Sequence, residues 1–551
     1  MFPFRPRLVD ELRGYDRSKL AADLSAGLTV AAVALPLAMA FAIASGLKPE
    51  AGLFTAIVAG FLISALGGSR VQIGGPAGAF VVVVYAIVER YGVANLLLAT
   101  MLAGALLLLM GAFRLGNLVR FVPVTIVIGF TNGIAVLIIL SQLKDFFGLR
   151  TGDLPADFFH KLRALFDAAP TADPVTIALA VSSLGVIWAW PRLWRSGASG
   201  FVRAMRHVPG TIVGLALGTA AVMLLNLHVE TIGTRFGGVP QSLPPLAWPH
   251  VGWAELGALV GPAFTIALLG SIESLLCARV ADDVIEDRHD PNQELMAQGI
   301  ANITAPLFGG FCATGTIART MTNVRSGART PVAGVIHALA LLVILLIGAP
   351  LARHIPLATL AAVLVYVAYY MGEWHEFARL RRFSNYYRLI LLSTFVLTVV
   401  VDLTVAVQVG LVLACLFFIA RISGLTRVEP IRELEESMAG VDARRVEAFS
   451  ISGSLFFGAV SKMDGLLDPK RPLPRVMILD LSQLLNMDSS GLETLETLHR
   501  MLQKRGATLI LSGMPEQPYH LAVRGGLAAA LGQENIVPTL ADAWRRAREL
   551  G

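Results

Sequence analysis

Two stretches of this 551-residue chain set glycines and small polar residues inside otherwise apolar surroundings. Gln72-Ile73-Gly74-Gly75-Pro76-Ala77-Gly78-Ala79-Phe80 precedes the run Val81–Val84. Gly309-Gly310-Phe311-Cys312-Ala313-Thr314-Gly315-Thr316-Ile317-Ala318-Arg319-Thr320 follows a second apolar run. Each reads as extended backbone leading into a half-helix, whose first N–H groups lack intrahelical acceptors and carry partial positive charge. Two such ends facing one cavity favour an anion. The alternative is that the glycines only permit close helix packing. Two ionisable residues sharpen the first reading: Glu273 is the only charge between Glu255 and Arg279, and Arg319 lies in the first turn or so of the second half-helix. Ionisable residues inside a membrane are costly and point to function by default. A guanidinium beside the two half-helix ends strengthens attraction for a carboxylate or oxyanion. Low dielectric penalises the charged form of a carboxyl, which suits Glu273 to taking up a proton on one face and releasing it on the other. A permanent Glu273–Arg319 ion pair with a structural role is the competing possibility.

Composition supplies the elements that must position these residues. Charged residues make up 15% of the chain and hydrophobic ones 55%. A soluble domain carries about 25% charged residues, so an ordinary soluble enzyme is excluded, as are disordered and collagen-like chains. The charge is also uneven. Residues 428–551 hold 14 Lys/Arg and 16 Asp/Glu, a soluble density, whereas residues 1–427 hold only 31 and 23. The chain therefore reads as a membrane body followed by a soluble tail: residues 1–22 as an N-terminal segment, 23–425 as the membrane domain, and 426–551 as the tail, with its core at about 443–551.

Thirteen charge-free windows run through the body, from 24–47 to 403–420, most of them near the roughly 20 apolar residues needed to cross a bilayer. The window 295–318 contains Pro306 and Gly309-Gly310, so it reads as one helix plus the start of another, giving fourteen segments. The short window 389–401 is expected to begin its helix at Tyr386-Tyr387. The interrupted stretches then open the third and tenth segments, corresponding positions in two seven-segment halves, which is the pattern of a transporter's midplane site. Counting Lys and Arg in alternate loops gives 22 on the side of the termini against 8 opposite. The positive-inside rule thus puts both termini in the cytoplasm and explains the net charge of +6 without nucleic acid. No cleavable signal is apparent, since the first apolar window follows about twenty polar residues and is too long for a signal core. Cys277, Cys312 and Cys415 lack metal or disulfide spacing, and Asp402 reads as a turn residue.

Asp23–Val30, Leu35–Ala42 and Gly46–Thr55, with Asn292–Leu295, Gln298–Asn302 and Ala318-Arg319-Thr320, resemble the signature of the SulP sulfate-permease family of anion transporters. The resemblance covers nearly the whole chain. It implies a mostly α membrane protein with a fourteen-segment (7+7) inverted-repeat fold, a core domain moving against a gate domain, and a homodimer in the bacterial inner membrane. It places the anion between the third and tenth segments, implicating Gly75, Pro76, Ala77, Gly78, Thr314, Gly315, Thr316, Ala318 and Arg319. The first segment then contributes Pro36 and Leu37 as a site wall, and the eighth contributes Cys277, with Glu273 as the proton-coupling group. Leu37 stands where many members have Gln, and Ala77 where many have Thr. Sodium-coupled bicarbonate members resemble this pattern with Asp at the position of Glu273 and Thr at that of Cys277, and they lack the arginine matching Arg319. A thiol is a poor ligand for a hard cation. Ala318 replaces a serine common in animal exchangers, which weakens chloride exchange. The expectation is proton-coupled uptake of sulfate or a related oxyanion. A C4-dicarboxylate such as fumarate or succinate is the alternative; sodium–bicarbonate symport, a passive anion channel and a receptor rank lower. The expected partners are the anion, the proton, a second copy of the chain and membrane lipid; no cofactor or metal is expected.

In the tail, the strand-like runs Val446–Phe457, Val476–Leu481 and Thr508–Leu511 alternate with helix-like stretches Gly491–Gln503, Tyr519–Ala530 and Thr539–Glu549, predicting a small α/β sheet domain. Asp488-Ser489-Ser490-Gly491 resembles the loop of the STAS domain, in whose anti-sigma-factor antagonists a serine is phosphorylated. Ser489 or Ser490 is the corresponding candidate, against the plainer reading that Asp488 or Ser489 caps the helix. No complete Walker loop, HExxH or GxSxG occurs, which argues against an enzyme.

Overall fold

The structure, a computed structural model, describes residues 4–117, 122–152, 154–155, 157–194, 205, 208–248, 253–431, 445–468 and 474–550. It forms two compact units, Met1–Leu411 and Val412–Gly551.

In the first unit, leaving short helices aside, the chain runs α1 (Arg17–Ala44), α2 (Pro49–Leu66), β1 (Gly74–Gly75), α3 (Phe80–Ala112), α4 (Val124–Phe147), α5 (Phe158–Ala168), α6 (Pro174–Leu193) and α7 (Gly210–Leu225). It continues through α8 (Trp253–Ile285), α9 (Pro291–Thr304), β2 (Thr314–Gly315), α10 (Ile317–Arg325), α11 (Val332–Ala352), α12 (Leu357–Met371) and α13 (Asn385–Val400), and ends in the first part of α14 (Leu403–Leu425), whose remainder belongs to the second unit. Among the described residues nine helices are long and apolar enough to cross a membrane, and two more are shorter but apolar. Helix α3 holds two of the expected segments, joined at Gly92, whose φ of 82° breaks the helical path. The window 295–318 divides as expected, α9 ending before a 3₁₀ turn at Ala305–Phe308 and α10 starting at Ile317. Helix α13 begins at Asn385, just ahead of Tyr386 and Tyr387, with Ser384 as its N-cap.

Local chemistry fixes the helix ends. Asp16 caps α1 by accepting from Lys19 N at 2.7 Å, and Asp290 caps α9 by accepting from Asn292 N and Gln293 N. Asn226 closes α7 in the left-handed region, a conformation its short polar side chain tolerates. The helices then pack as two groups. Helices α1, α2, α3, α8, α9 and α11 are interlinked, while α4, α6, α7, α12 and α13 form the other set; α1 touches members of both. Within the first group, a Cβ at Gly52 would collide with Ala38 O, and one at Gly27 with Ala333 O. These signature glycines therefore bring α1 into close contact with α2 and α11. Buried Asp23 accepts from Arg329 N, Thr330 N, Thr330 Oγ1 and Tyr15 Oη, tying the start of α1 to the chain before α11. The family-like residues of α1 build the scaffold before they build a site.

The second unit carries a six-stranded sheet: β3 (Arg427–Pro430), β4 (Val446–Leu455), β5 (Val476–Asp480), β6 (Leu484–Met487), β7 (Thr508–Ser512) and β8 (Ile536–Val537). The order is β3-β4-β5-β7-β8 with β6 on β4; β3 is antiparallel and the other pairings are parallel. Helices α15 (Ser489–Lys504), α16 (Glu516–Arg524), α17 (Leu527–Leu531) and α18 (Leu540–Leu550) accompany the sheet. Strand alternation sends Met477 and Leu479 into the core shared with Leu495 and Leu498, and Val476 and Ile478 into the one shared with Trp544. The expected α/β tail is present, with β3, β6 and β8 as strands too short to stand out in the sequence, and with the Tyr519–Ala530 stretch split into two helices.

Candidate functional site

Both interrupted stretches take the same backbone form. Gly74 pairs with Gly315 and Gly75 with Thr314 in the antiparallel β1–β2 ladder, and a half-helix leaves each strand. An antiparallel crossing points the two helices in opposed directions, so their N-termini approach one another, as inverted halves require. Neither end is closed by a side chain: Ala79 and Thr316, the N-cap residues, make no capping bond. Glycine is needed where the backbone is crowded. A Cβ at Gly315 would overlap the amide of Gln72, one at Gly74 would enter Ile63, and one at Gly75 (φ 151°) would overlap Arg319 Nη1. Packing and site readings of these glycines therefore hold together.

Arg319 lies at this crossing with only 1% of its surface accessible. Its guanidinium reaches over β1, where Nη2 donates to Pro76 O at 3.2 Å. The buried Nε and Nη1 have no acceptor among the described residues. Glu273, on α8, is half-buried, and its Oε2 is buried without a hydrogen-bond partner. The two residues form no ion pair in this structure. Each faces the interior with capacity to spare, and a buried donor left unpaired is costly. An oxyanion at the half-helix ends would satisfy Nε and Nη1 at once.

Polar residues around the crossing hold it rigid. Thr314 Oγ1 donates to Gly270 O at 2.9 Å, and Thr316 N donates to Ile73 O at 3.0 Å. Asn302 grips Ala313 by both amide groups. Cys277 Sγ donates to Thr320 Oγ1 at 3.3 Å, and that hydroxyl also accepts from Ile73 N. Gln72 and Gln298 both donate to Ser274 Oγ, and Glu294 accepts from Gly68 N, Ser69 N and Gln298. Cys277 thus lies beside the tenth half-helix with its thiol already engaged. Ala318 is exposed at the start of α10, and Ala77 is 2% exposed. Pro36 and Leu37 are buried in α1, and Phe41, one turn on from Leu37, approaches Gly78 before the third half-helix. Phe41 Cε1 lies 3.4 Å from where a Cβ on Gly78 would be, beside Met371 Sδ at 3.4 Å and Ile138 Cδ1 at 3.5 Å. Met371 and Ile138 come from the second helix group, so Gly78 marks where the two groups meet.

Sequence reasoning missed Phe41, Met371 and Ile138, which have no polar signal. It also missed His337 on α11, which is fully buried. A Cβ on Gly60 would sit 3.6 Å from His337 Cε1 and 3.1 Å from Gly74 O, so the imidazole lies behind β1. It is the one histidine in the window 330–352, and a scan counting imidazoles with the other ionisable groups finds it.

In the tail, Asp488 caps α15 by accepting from Gly491 N at 2.9 Å and also accepts from Phe457 N. Ser489 is exposed and Ser490 half-buried in the same first turn. The capping role belongs to Asp488.

Comparison with known proteins agrees with this architecture. Residues 20–394 match the model of the Sulfate permease family, and residues 442–543 match that of the STAS domain. The chain is 40% identical over 532 residues to "Putative sulfate transporter YvdB" of Bacillus subtilis (strain 168), covering 96% of this chain and 98% of that one. It is 31% identical to "Bicarbonate transporter BicA" of Picosynechococcus, over 79% and 78% of the two chains. The murine Solute Carrier 26 family member A9 anion transporter, solved in the inward-facing state, superposes with a TM-score of 0.86 at 17% identity, over 99% of this chain and 94% of that one. The chain is a membrane protein of the sulfate permease family, a family of anion transporters and not of enzymes, with a STAS domain following its transport domain.

Proposed function

We propose that this protein is a secondary active transporter that takes up sulfate or a related oxyanion together with protons, by an elevator-like movement of one helix group against the other. The observation that carries this reading is the buried guanidinium of Arg319. Two of its nitrogens lack acceptors between two uncapped half-helix N-termini, which is a receptacle for an anion with more than one oxygen. Gly75, Pro76, Ala77 and Gly78 form one wall and Thr314, Gly315, Thr316 and Ala318 the other, with Cys277 and the Pro36–Phe41 turn alongside. Glu273, whose unpaired oxygen faces no cation, carries the proton. The domain arrangement proposed with it is 1–22, 23–425 and 426–551, both termini cytoplasmic, in an inner-membrane homodimer surrounded by lipid.

Bicarbonate is the second reading, favoured by the relative named as a bicarbonate transporter. A fumarate-type dicarboxylate would use the same guanidinium. The test is uptake of labelled sulfate, bicarbonate and fumarate into proteoliposomes with proton and sodium gradients imposed separately. Concentrative sulfate uptake driven by an acidic exterior is expected. Sodium-driven accumulation of bicarbonate would replace this reading with the second.

A further inference from the structure

Lys161 lies far from the crossing and outside every role assigned so far. It sits on α5, whose amphipathic pattern turns Lys161 and Leu165 inward, and only 7% of its surface is exposed. Among the described residues its ammonium has no hydrogen-bond or ion-pair partner. It rests over the ring of Tyr85 on α3, 4.9 Å from the centroid. Burial pushes it below the usual lysine range; the carboxylates of Glu89 and Asp157 act in the opposite direction from a distance. A cation–π contact compensates only part of the cost of burying a cation.

Two cavities, of about 520 and 1020 Å³, share Lys161 and Tyr85 in their walls. The smaller follows α3 from Val81 to Tyr91, so it begins three residues past Gly78 and ends beside Lys161. At 1.5 Å per residue that is roughly 15 Å of helix. The larger opens among the ends of α1, α4 and α6, with Lys144 and Arg150 in its wall. In that wall Arg235 is already paired with Asp145 at 2.8 Å, and Lys144 donates to Gly152 O. Lys161, at the joint between the two cavities, has no acceptor for its donors among the described residues.

We infer that Lys161 is an anion-binding residue of a second, outer site, which receives a small oxyanion from the larger cavity and passes it along α3 toward the half-helix ends. The inference rests on the proposed transport direction, because the end of α1 that lines both cavities is the one farthest from the N-terminus. A lipid phosphate headgroup offers the same chemistry, so the lipid is varied in the test.

In phosphatidylcholine proteoliposomes, Lys161→Gln should raise the half-saturating external sulfate concentration at least fivefold with an unchanged maximal rate. The half-saturating internal concentration for efflux should not move. Lys161→Arg should stay within twofold of the parent on both faces. In the unmodified protein, sulfate should slow acetylation of Lys161 by acetic anhydride at least threefold, read by mass spectrometry, while Lys462 on the tail is unaffected. Equal shifts on both faces, no shift at all, or acetylation indifferent to sulfate would each overturn the outer site. So would an effect confined to vesicles containing anionic lipid, which would assign the ammonium to a headgroup. If no anion is transported but sulfate still protects Lys161, the transport reading falls and the outer site stands.

Discussion

The two half-helix ends share a backbone and differ in what they display. The third-segment end is bare: Gly75, Ala77 and Gly78 carry backbone N–H groups, and Pro76, which has none, adds only apolar surface and its carbonyl. The tenth-segment end brings Thr314, Thr316 and Arg319, and the guanidinium crosses to lie against its bare counterpart at Pro76 O. Duplication of one backbone device therefore leaves room for division of labour. One repeat supplies shape and N–H donors, and the other supplies charge. Had both ends carried a cation, their repulsion across the ladder would oppose the approach of β1 to β2 when no anion is bound.

The comparison breaks most completely at the charged end. Arg319→Ala should reduce anion affinity at least a hundredfold, since two charge-assisted hydrogen bonds at roughly 1.5–3 kcal/mol each are lost. Binding isotherms on purified protein check this, and unchanged affinity would remove Arg319 from the site. Next in size is Glu273→Gln, which should abolish the response of uptake to an imposed pH gradient while anion affinity stays within a few-fold. Full pH-driven accumulation by this variant would move the coupling group elsewhere. At the bare end, Ala77→Ser adds a hydroxyl and should tighten the anion about two- to tenfold, the worth of one hydrogen bond of about 0.5–1.5 kcal/mol; a weaker site would show that this end has no room for the group. The smallest effect belongs to the tail, where Asp488 caps α15. Asp488→Ala should cost about 1 kcal/mol and speed hydrogen exchange at the Gly491 and Phe457 amides roughly fivefold, leaving transport affinity unchanged.

Glu273 and Arg319 were legible because charge is conspicuous in a charge-poor sequence, and the interrupted stretches because Gly and Pro punctuate apolar runs. The alternative of a permanent pair between them was equally legible, and no sequence feature decided against it. Phe41, Met371 and Ile138 were invisible for the converse reason. An apolar residue on a site wall has the same local pattern as one in a core, and only the approach of three helices at Gly78 separates them. Lys161 counted in the sequence as one more loop charge. Its burial on the inner face of α5 against Tyr85 is a contact across 76 positions of chain.

By itself the sequence determined the apolar segments, the two breaks in corresponding halves, the soluble α/β tail and the identities of the charges kept in the membrane. These follow from hydropathy, backbone preference and turn chemistry, which act over a few residues. Only the tertiary structure decided that β1 and β2 form a ladder between residues some 240 positions apart, that Arg319 spends its one bond on Pro76 rather than on Glu273, and that Asp23 serves as a tie between helices. Those outcomes depend on which glycines allow two backbones to touch and on where a buried cation finds its acceptors, and neither is set until distant segments have packed.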